Sequence, residues 1–467
     1  MSSSPDMPVE EFRRAAHEAV DWIADFLADI RQYKVLPGVN PGSLIDALPV
    51  RGPEAGEPME AIFDDFCKLV VPGVTHWNHP RFFAWFANSA SAPGILGEML
   101  AAALNVNGML WKSAPAATEL EQVTLGWLRQ WLGLPEEFFG LIYDTASVST
   151  FHALAAAREL ACPQARGEGL RETLCLYVSE HAHNSSEKGA LALGVGQKHV
   201  RHVPTDLEFR MRPDALAAMI EEDIGQGHRP FCVVATVGTT SIASVDPVPA
   251  IADIAARFGL WLHVDAAYGG PAAILPEMRH VLDGCERADS IVVNPHKWLL
   301  TPMDISVFYT RRPAVLRRAF TLGAPYLESD ADSRAVDYCQ YGIQHGRRFR
   351  SLKLWFVMRS FGREGIAAIL REHIRLAQSF AGKIRNDAGF ELAAPVQFAL
   401  VCFRARRSEE KNRLLLERLN ATRQVFLSST VIGGRFVLRL SVGNIRTTQA
   451  DIDFVWTLLR ETLAGLD

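Results

Sequence analysis

The chain has 467 residues, enough for two to four domains at roughly 100–200 residues each. With 48% hydrophobic and 22% charged residues it has the balance of an ordinary globular protein, which excludes a disordered chain, a collagen-like repeat and a small disulfide scaffold. Lys+Arg minus Asp+Glu is 48 − 53 = −5, and a mildly acidic chain has no global pull toward nucleic acid or an anionic membrane.

The N-terminus places acids where a secretory signal needs an apolar core, so no leader is expected. Residues 9–31 read as an amphipathic helix, because Phe12, Ala16, Ala19, Val20, Ile23, Phe26, Leu27 and Ile30 recur at three- and four-residue steps. Five prolines and four glycines between Pro37 and Pro58 predict an extended connector. A helix on such a tether must bury its apolar stripe on the body of the chain or on a second copy. The greasiest stretch, 95–111, is interrupted by Glu98, Asn105 and Asn107, which argues against a membrane span.

In the middle of the chain, β-rich runs at 173–178, 231–236, 260–265, 290–294 and 305–309 alternate with helical patterns such as 213–223 and 247–258. Strands that are apolar throughout and separated by helices predict an α/β domain, its mostly parallel sheet covered on both faces. From about Gly362 the pattern changes to a long helix at 365–384, short strands at 398–403 and 435–440, and a terminal helix at 448–463. This reads as a small C-terminal α+β domain. The seven cysteines, at 67, 162, 175, 232, 285, 339 and 402, are odd in number and form no CxxC, as expected of reduced thiols in a cytoplasmic protein.

Four segments fall where an open parallel sheet presents its ligands, beyond the carboxyl ends of the strands. Lys297 lies in Asn294-Pro295-His296-Lys297-Trp298, just past a strand, in a semi-apolar turn that would lower its pKa and suit it to imine chemistry. Asp265 ends the apolar run Trp261–Val264, and a buried carboxylate needs a cationic partner such as a protonated pyridine nitrogen. Ala267, two residues on, is small enough for a flat ring to lie against it. Asp144-Thr145-Ala146-Ser147-Val148-Ser149-Thr150 opens a helix with small hydroxyl residues, leaving backbone N–H groups for a phosphate. His181-Ala182-His183 follows another strand and offers a ring for stacking; with no second ligand cluster beside it, no metal site is expected. Each segment alone has an ordinary structural explanation: an exposed lysine, an aspartate cap, hydroxyl caps, a surface histidine. One phosphorylated pyridine aldehyde, pyridoxal phosphate, needs all four, and the thirty-one residues between Asp265 and Lys297 leave room for one helix and one strand.

At this point the sequence resembles the group II pyridoxal-phosphate-dependent amino acid decarboxylases, and within them the aromatic-L-amino-acid decarboxylases. The resemblance runs over almost the whole chain. It is carried by EEFRR at 10–14, PGVTHW at 72–77, WLHVDAAYGG at 261–270, NPHKWLL at 294–300 and GRRFRSLKLWF at 346–356. It implies an α/β fold of type I: an N-terminal helical dimerisation segment (1–91), a large cofactor domain with a mostly parallel seven-stranded sheet between helices (92–364), and a small α+β domain (365–467). It implies that Lys297 holds the cofactor covalently, that Asp265 pairs with its ring nitrogen, and that His183 and Ala267 cover its two faces. Ala146, Ser147 and Asn294 match phosphate-anchoring positions. Thr240 and His296 match further active-site positions, and Tyr326 matches the tyrosine of a mobile loop, which the acidic stretch at 328–332 fits. A homodimer is implied, with the N-terminal helices wrapped around the partner.

The implied reaction is decarboxylation of an aromatic L-amino acid to its amine and CO2, with Lys297, Asp265, His183 and Tyr326 as the catalytic set. Relatives that form aldehydes by oxidative decarboxylation lack this tyrosine or replace the stacking histidine, so plain decarboxylation is favoured. Substrate-side positions are Trp85, Phe86, Asn88, Asn107, Met109 and Gly346. Several depart from the usual pattern: Trp85-Phe86-Ala87-Asn88 stands where a tyrosine, a proline and a threonine are common, and Asn107 and Met109 replace bulkier side chains. Gly346 matches a position where plant enzymes for indole substrates carry glycine. The alternatives are a decarboxylase of another amino acid, an aldehyde synthase, or an inactive cofactor-binding interaction protein. The run Gly346–Lys353 is basic, but on an acidic chain it reads as a solvated helix start or an interface strip rather than a nucleic-acid patch.

Overall fold

Short apolar runs become the strands of one central sheet in the computed structural model, which describes residues 6–86, 88–322 and 334–466. The strands are β1 (Phe139–Tyr143), β2 (Leu174–Ser179), β3 (Val200–Val203), β4 (Arg229–Thr236), β5 (Trp261–Asp265), β6 (Ser290–Val293) and β7 (Ser306–Thr310). They lie in the order β1-β7-β6-β5-β4-β2-β3. Neighbours from β3 through β6 are parallel, while β7 is antiparallel to both β6 and β1. Two reversals cancel, so β1 runs with β6, and the carboxyl ends of β1, β2, β4, β5 and β6 all face one edge.

Helices Ala146–Ala161, Pro213–Gly225 and Val248–Phe258 flank the sheet, which is why β2, β5, β6 and β7 are buried along their whole length. β1 and β3 were not foreseen in the sequence. β1 contains a glycine and only five residues, and β3 is a four-residue edge strand whose centre, Arg201 and His202, is polar.

A second sheet of β8 (Phe390–Leu392), β9 (Leu400–Ala405), β10 (Ser428–Ile432) and β11 (Arg435–Ser441) is antiparallel throughout, in the order β10-β11-β9-β8. The terminal helix, Gln449–Ala464, starts with a reciprocal cap between Thr448 and Asp451, as an S/T-x-x-acid start favours. Asp451 also pairs with Arg31 and Arg81, tying the N-terminal segment to the small domain. The long helix expected at 365–384 begins earlier, at Arg350, and runs to Arg385. Its backbone breaks at Gly362 (φ 63°, ψ 176°), a left-handed conformation that glycine adopts without a Cβ penalty.

The N-terminal helix is Val9–Ala28, with a 3-10 turn at Ile30–Gln32. Trp22 and Phe26 pack on Phe63, Phe66 and Tyr33, but Val9, Phe12 and Val20 stay exposed. The connector at 37–58 is irregular except for a short helix, Ser43–Ala47. Helix Ala92–Leu104 leaves Leu96, Met99, Leu100 and Leu104 in solvent, a larger apolar face than the chain itself covers. Among the described residues, no helix is long and apolar enough to cross a membrane.

Candidate active site

The four chemistry-bearing segments converge because five strands point their carboxyl ends the same way. β6 delivers Lys297 on a short helix, Pro295–Trp298, with Asn294 as the preceding residue. Among the described residues no hydrogen bond or salt bridge fixes the Lys297 amine; its Nζ lies 5.5 Å from the centroid of the Phe86 ring. Desolvation lowers its pKa from the usual lysine range, and the Asp265 charge pulls the other way. Trp298, beside it, is pinned by donating to His373 Nδ1 at 3.0 Å, and His373 Nε2 bonds the Asn444 carbonyl at 3.1 Å. The lysine turn is thereby anchored to the segment that follows β11.

β5 ends on Asp265, 7% exposed, whose Oδ1 accepts the Ala267 N–H at 3.1 Å. No arginine or lysine forms a salt bridge with it among the described residues, so this buried carboxylate has room for an incoming cation. His183, after β2, accepts the Ser185 N–H on Nδ1 at 3.1 Å. Burial lowers its pKa, Asp265 raises it and Lys297 lowers it, so all three side chains share one field. The neutral ring therefore carries its proton on Nε2.

Helix Ala146–Ala161 follows β1. Its first internal bonds run from Val148 and Ser149 N–H to the Thr145 carbonyl, and among the described residues the Ala146 and Ser147 N–H groups have no partner. The Asp144 carboxylate is occupied by the Thr145 N–H at 2.6 Å and the Gln344 amide at 3.3 Å. Near the same edge, His296 Nδ1 accepts the Ile305 N–H at 3.1 Å, and its Nε2 meets one end of the Asn294 amide at 3.3 Å. The other end of that amide is buried with no partner among the described residues, an orphan that an added polar group would satisfy. Thr240 follows β4, its side chain exposed and its carbonyl held by Arg439 Nη2 at 2.8 Å.

The residues expected on the substrate side fall into two groups. Phe86 stacks on Tyr268 (centroids 3.7 Å apart, 17° between planes) beside Lys297. Trp85 stacks on Trp77 at 5.4 Å, and Asn88 meets the Met303 sulfur at 3.4 Å. Asn107, Met109 and Gly346 gather elsewhere: Asn107 accepts the Arg347 N–H at 2.9 Å, its amide lies 3.7 Å from the Met109 sulfur, and a Cβ on Gly346 would lie 3.9 Å from it. Among the described residues no hydrogen bond, ion pair or ring contact joins this second group to Lys297, Asp265 or His183. Tyr326 and the stretch at 328–332 lie outside the described residues.

Arg439 was not foreseen. It is 3% exposed, stands 5.4 Å from the Phe86 ring, and donates to the Thr240 and Ser241 carbonyls and the Ser428 hydroxyl. The available signal was an arginine inside the mostly apolar stretch Phe436–Leu440 of β11. The basic run after Gly346 resolves into ion pairs: Arg347 with Glu121, Arg348 and Lys353 with Glu98, and Arg350 with Asp304.

Residues 41–406 match the pyridoxal-dependent decarboxylase conserved domain. The chain belongs to that family. The aromatic-L-amino-acid decarboxylase of Catharanthus roseus is 40% identical over 483 aligned positions, covering 99% of this chain and 96% of that protein. The crystal structure of Oryza sativa TDC with PLP and tryptamine superposes with a TM-score of 0.96 at 38% identity, covering all of both chains. The crystal structure of Rhodiola rosea 4-hydroxyphenylacetaldehyde synthase superposes with a TM-score of 0.93 at 35% identity, covering 98% of this chain and 99% of that one.

The cofactor of this decarboxylase is pyridoxal phosphate, and the side chains fit it. They offer an untethered amine for its aldehyde, a buried carboxylate lacking a cation for its ring nitrogen, and free helix-start N–H groups with an orphaned amide for its phosphate.

Proposed function

We propose that this enzyme removes CO2 from an aromatic L-amino acid of the tryptophan, DOPA, tyrosine or phenylalanine type, giving the amine. The observation that carries this reading is full-length similarity to an aromatic-L-amino-acid decarboxylase, combined with a Lys297–Asp265–His183 cluster walled by Phe86. A substrate with a charged side chain would need a free counter-charge. The buried cation nearest Phe86, Arg439, is already engaged by three oxygen acceptors.

When bound, pyridoxal phosphate supplies an electron sink for the pair left on the α-carbon as CO2 departs. Lys297, with its lowered pKa, would supply the nucleophilic amine that holds the cofactor's aldehyde. Asp265 holds a cationic ring nitrogen by charge. Ala267 and His183 would confine the cofactor ring, and His183 keeps an N–H on Nε2 for hydrogen bonding. Ala146, Ser147 and Asn294 would hold the phosphate, with Thr240 and His296 as further active-site residues. Tyr326 returns a proton to the α-carbon. Trp85, Phe86, Asn88, Asn107, Met109 and Gly346 shape the substrate side.

A panel of L-amino acids tests the substrate class. Release of CO2 and amine from tryptophan, 5-hydroxytryptophan, phenylalanine, tyrosine or DOPA is expected at a kcat/KM at least about tenfold above histidine and glutamate, a discrimination of roughly 1.4 kcal/mol. Faster turnover of histidine or glutamate would overturn the reading. The likeness to the Rhodiola synthase supports aldehyde formation as a second reading. The presence of both His183 and Tyr326 favours the amine. Tyr326→Phe is then expected to divert product toward aldehyde and ammonia, with oxygen consumed and peroxide formed. An oxygen electrode reads this directly; amine formation without oxygen uptake would refute the role given to Tyr326.

We further propose a cytoplasmic homodimer. The uncovered apolar faces of helices Val9–Ala28 and Ala92–Leu104 support the dimer, and seven unpaired cysteines support the compartment. Light scattering should give twice the 51.6 kDa chain mass; a monomer at micromolar concentration would contradict this. The proposed division remains 1–91, 92–364 and 365–467, with the backbone break at Gly362 in support of the second boundary.

A further inference from the structure

We propose that Cys175, His199 and His228 form a site for a borderline-soft divalent cation of the zinc class, on the edge of the sheet away from the catalytic residues. One ligand atom from each lies within 4.8 Å of the other two. The three come from adjacent strands at their amino-terminal ends: Cys175 is the second residue of β2, His199 precedes β3, and His228 precedes β4. Asp265 and the His183 loop stand at the carboxyl ends of the same sheet. Four residue steps along the strand take Cys175 to Ser179 at the far end of β2, a distance of about 13 Å.

Three independent features point to a ligand. The pairing of β2 with β4 changes register between Cys175 and Leu176, and such irregularities re-aim a side chain. His228 Nδ1 bonds Asp223 Oδ1 at 3.0 Å, which orients the ring and leaves Nε2 for a metal, the carboxylate–histidine arrangement common behind metal ligands. His199 Nδ1 is buried and has no hydrogen-bond partner among the described residues. One sulfur and two imidazole nitrogens suit zinc, with a water as the fourth ligand on the half-exposed histidine side.

Arg201 is the neighbour that must be accommodated. Its Nη2 lies 3.9 Å from the Cys175 sulfur and 3.4 Å from His228 Nδ1, and its Nε bonds both Asp223 oxygens at 3.1 and 3.0 Å. Tyr177 donates to the same carboxylate at 2.7 Å. Asp223 cancels the guanidinium charge at contact distance, and a thiolate at Cys175 cancels half of the incoming charge. Binding displaces the thiol proton to solvent and involves no redox step. The ion would clamp β2, β3 and β4 together, a structural role independent of the decarboxylation chemistry.

The test uses the holoenzyme, stripped with a chelator and dialysed against micromolar zinc or cobalt. A single ion per chain is expected, and the cobalt form should show a thiolate-to-metal charge-transfer band in the near ultraviolet. Cys175→Ser should remove that band. His228→Gln, at a half-exposed position, keeps an N–H for Asp223 and should weaken affinity roughly tenfold or more. Both variants should retain cofactor absorbance and turnover, which separates this outcome from any failure of the catalytic reading. No stoichiometric uptake, uptake without the band, or uptake unchanged in His228→Gln would each overturn the proposal.

Discussion

Replacing Lys297 by alanine is expected to remove the visible absorbance of the bound cofactor and to lower kcat/KM on the order of 10³-fold or more. The loss is chemical rather than structural. The Lys297 amine holds no hydrogen bond or salt bridge among the described residues, so alanine breaks no polar network. It removes the nucleophile that tethers the cofactor, and with it the orientation that tether provides. Circular dichroism and elution volume should therefore match the parent enzyme while turnover collapses. Lys353 makes the contrast. It is the more deeply buried of the two and pairs with Glu98 at 2.8 Å, so its amine is committed to holding helix Arg350–Arg385 to helix Ala92–Leu104.

Asp265→Asn is the second large effect, a fall in kcat of roughly 10²–10³, or about 2.7–4 kcal/mol of transition-state stabilisation. The amide oxygen can still accept the Ala267 N–H that the carboxylate accepts at 3.1 Å, so the local backbone is preserved. What disappears is the negative charge that keeps a ring nitrogen cationic. In a buried site, a neutral amide stabilises that cation far less than a carboxylate. Cofactor affinity should fall as well, read by equilibrium dialysis of pyridoxal phosphate. His183 shares the field of Asp265, so its ring should titrate at a lower pH in the variant, where the charge that raises its pKa is gone. Full activity in Asp265→Asn would remove the electron-sink explanation.

Much of this was legible in the chain because the relevant residues sit at strand ends, and buried parallel strands announce themselves as apolar runs. β5 and β6 are such runs, with Asp265 closing the first and Lys297 four residues past the second. Arg439 was hidden because its role depends on contacts to Thr240, Ser241 and Ser428, none close to it in sequence. The separate grouping of Asn107, Met109 and Gly346 is likewise a matter of packing, set by backbone pairing between Gly108 and Arg347. β3 was obscured because an edge strand tolerates Arg201 and His202, which erase the apolar signature. The cluster at Cys175, His199 and His228 has no sequence motif, since sheet order rather than spacing assembles it.

The tether at Lys297 is tested most directly by reducing the purified holoenzyme with borohydride and mapping the modified peptide by mass spectrometry. The cofactor mass is expected on the peptide that carries Lys297, in stoichiometric yield. A label on any other lysine, Lys353 included, or no label on a fully loaded enzyme, would contradict it.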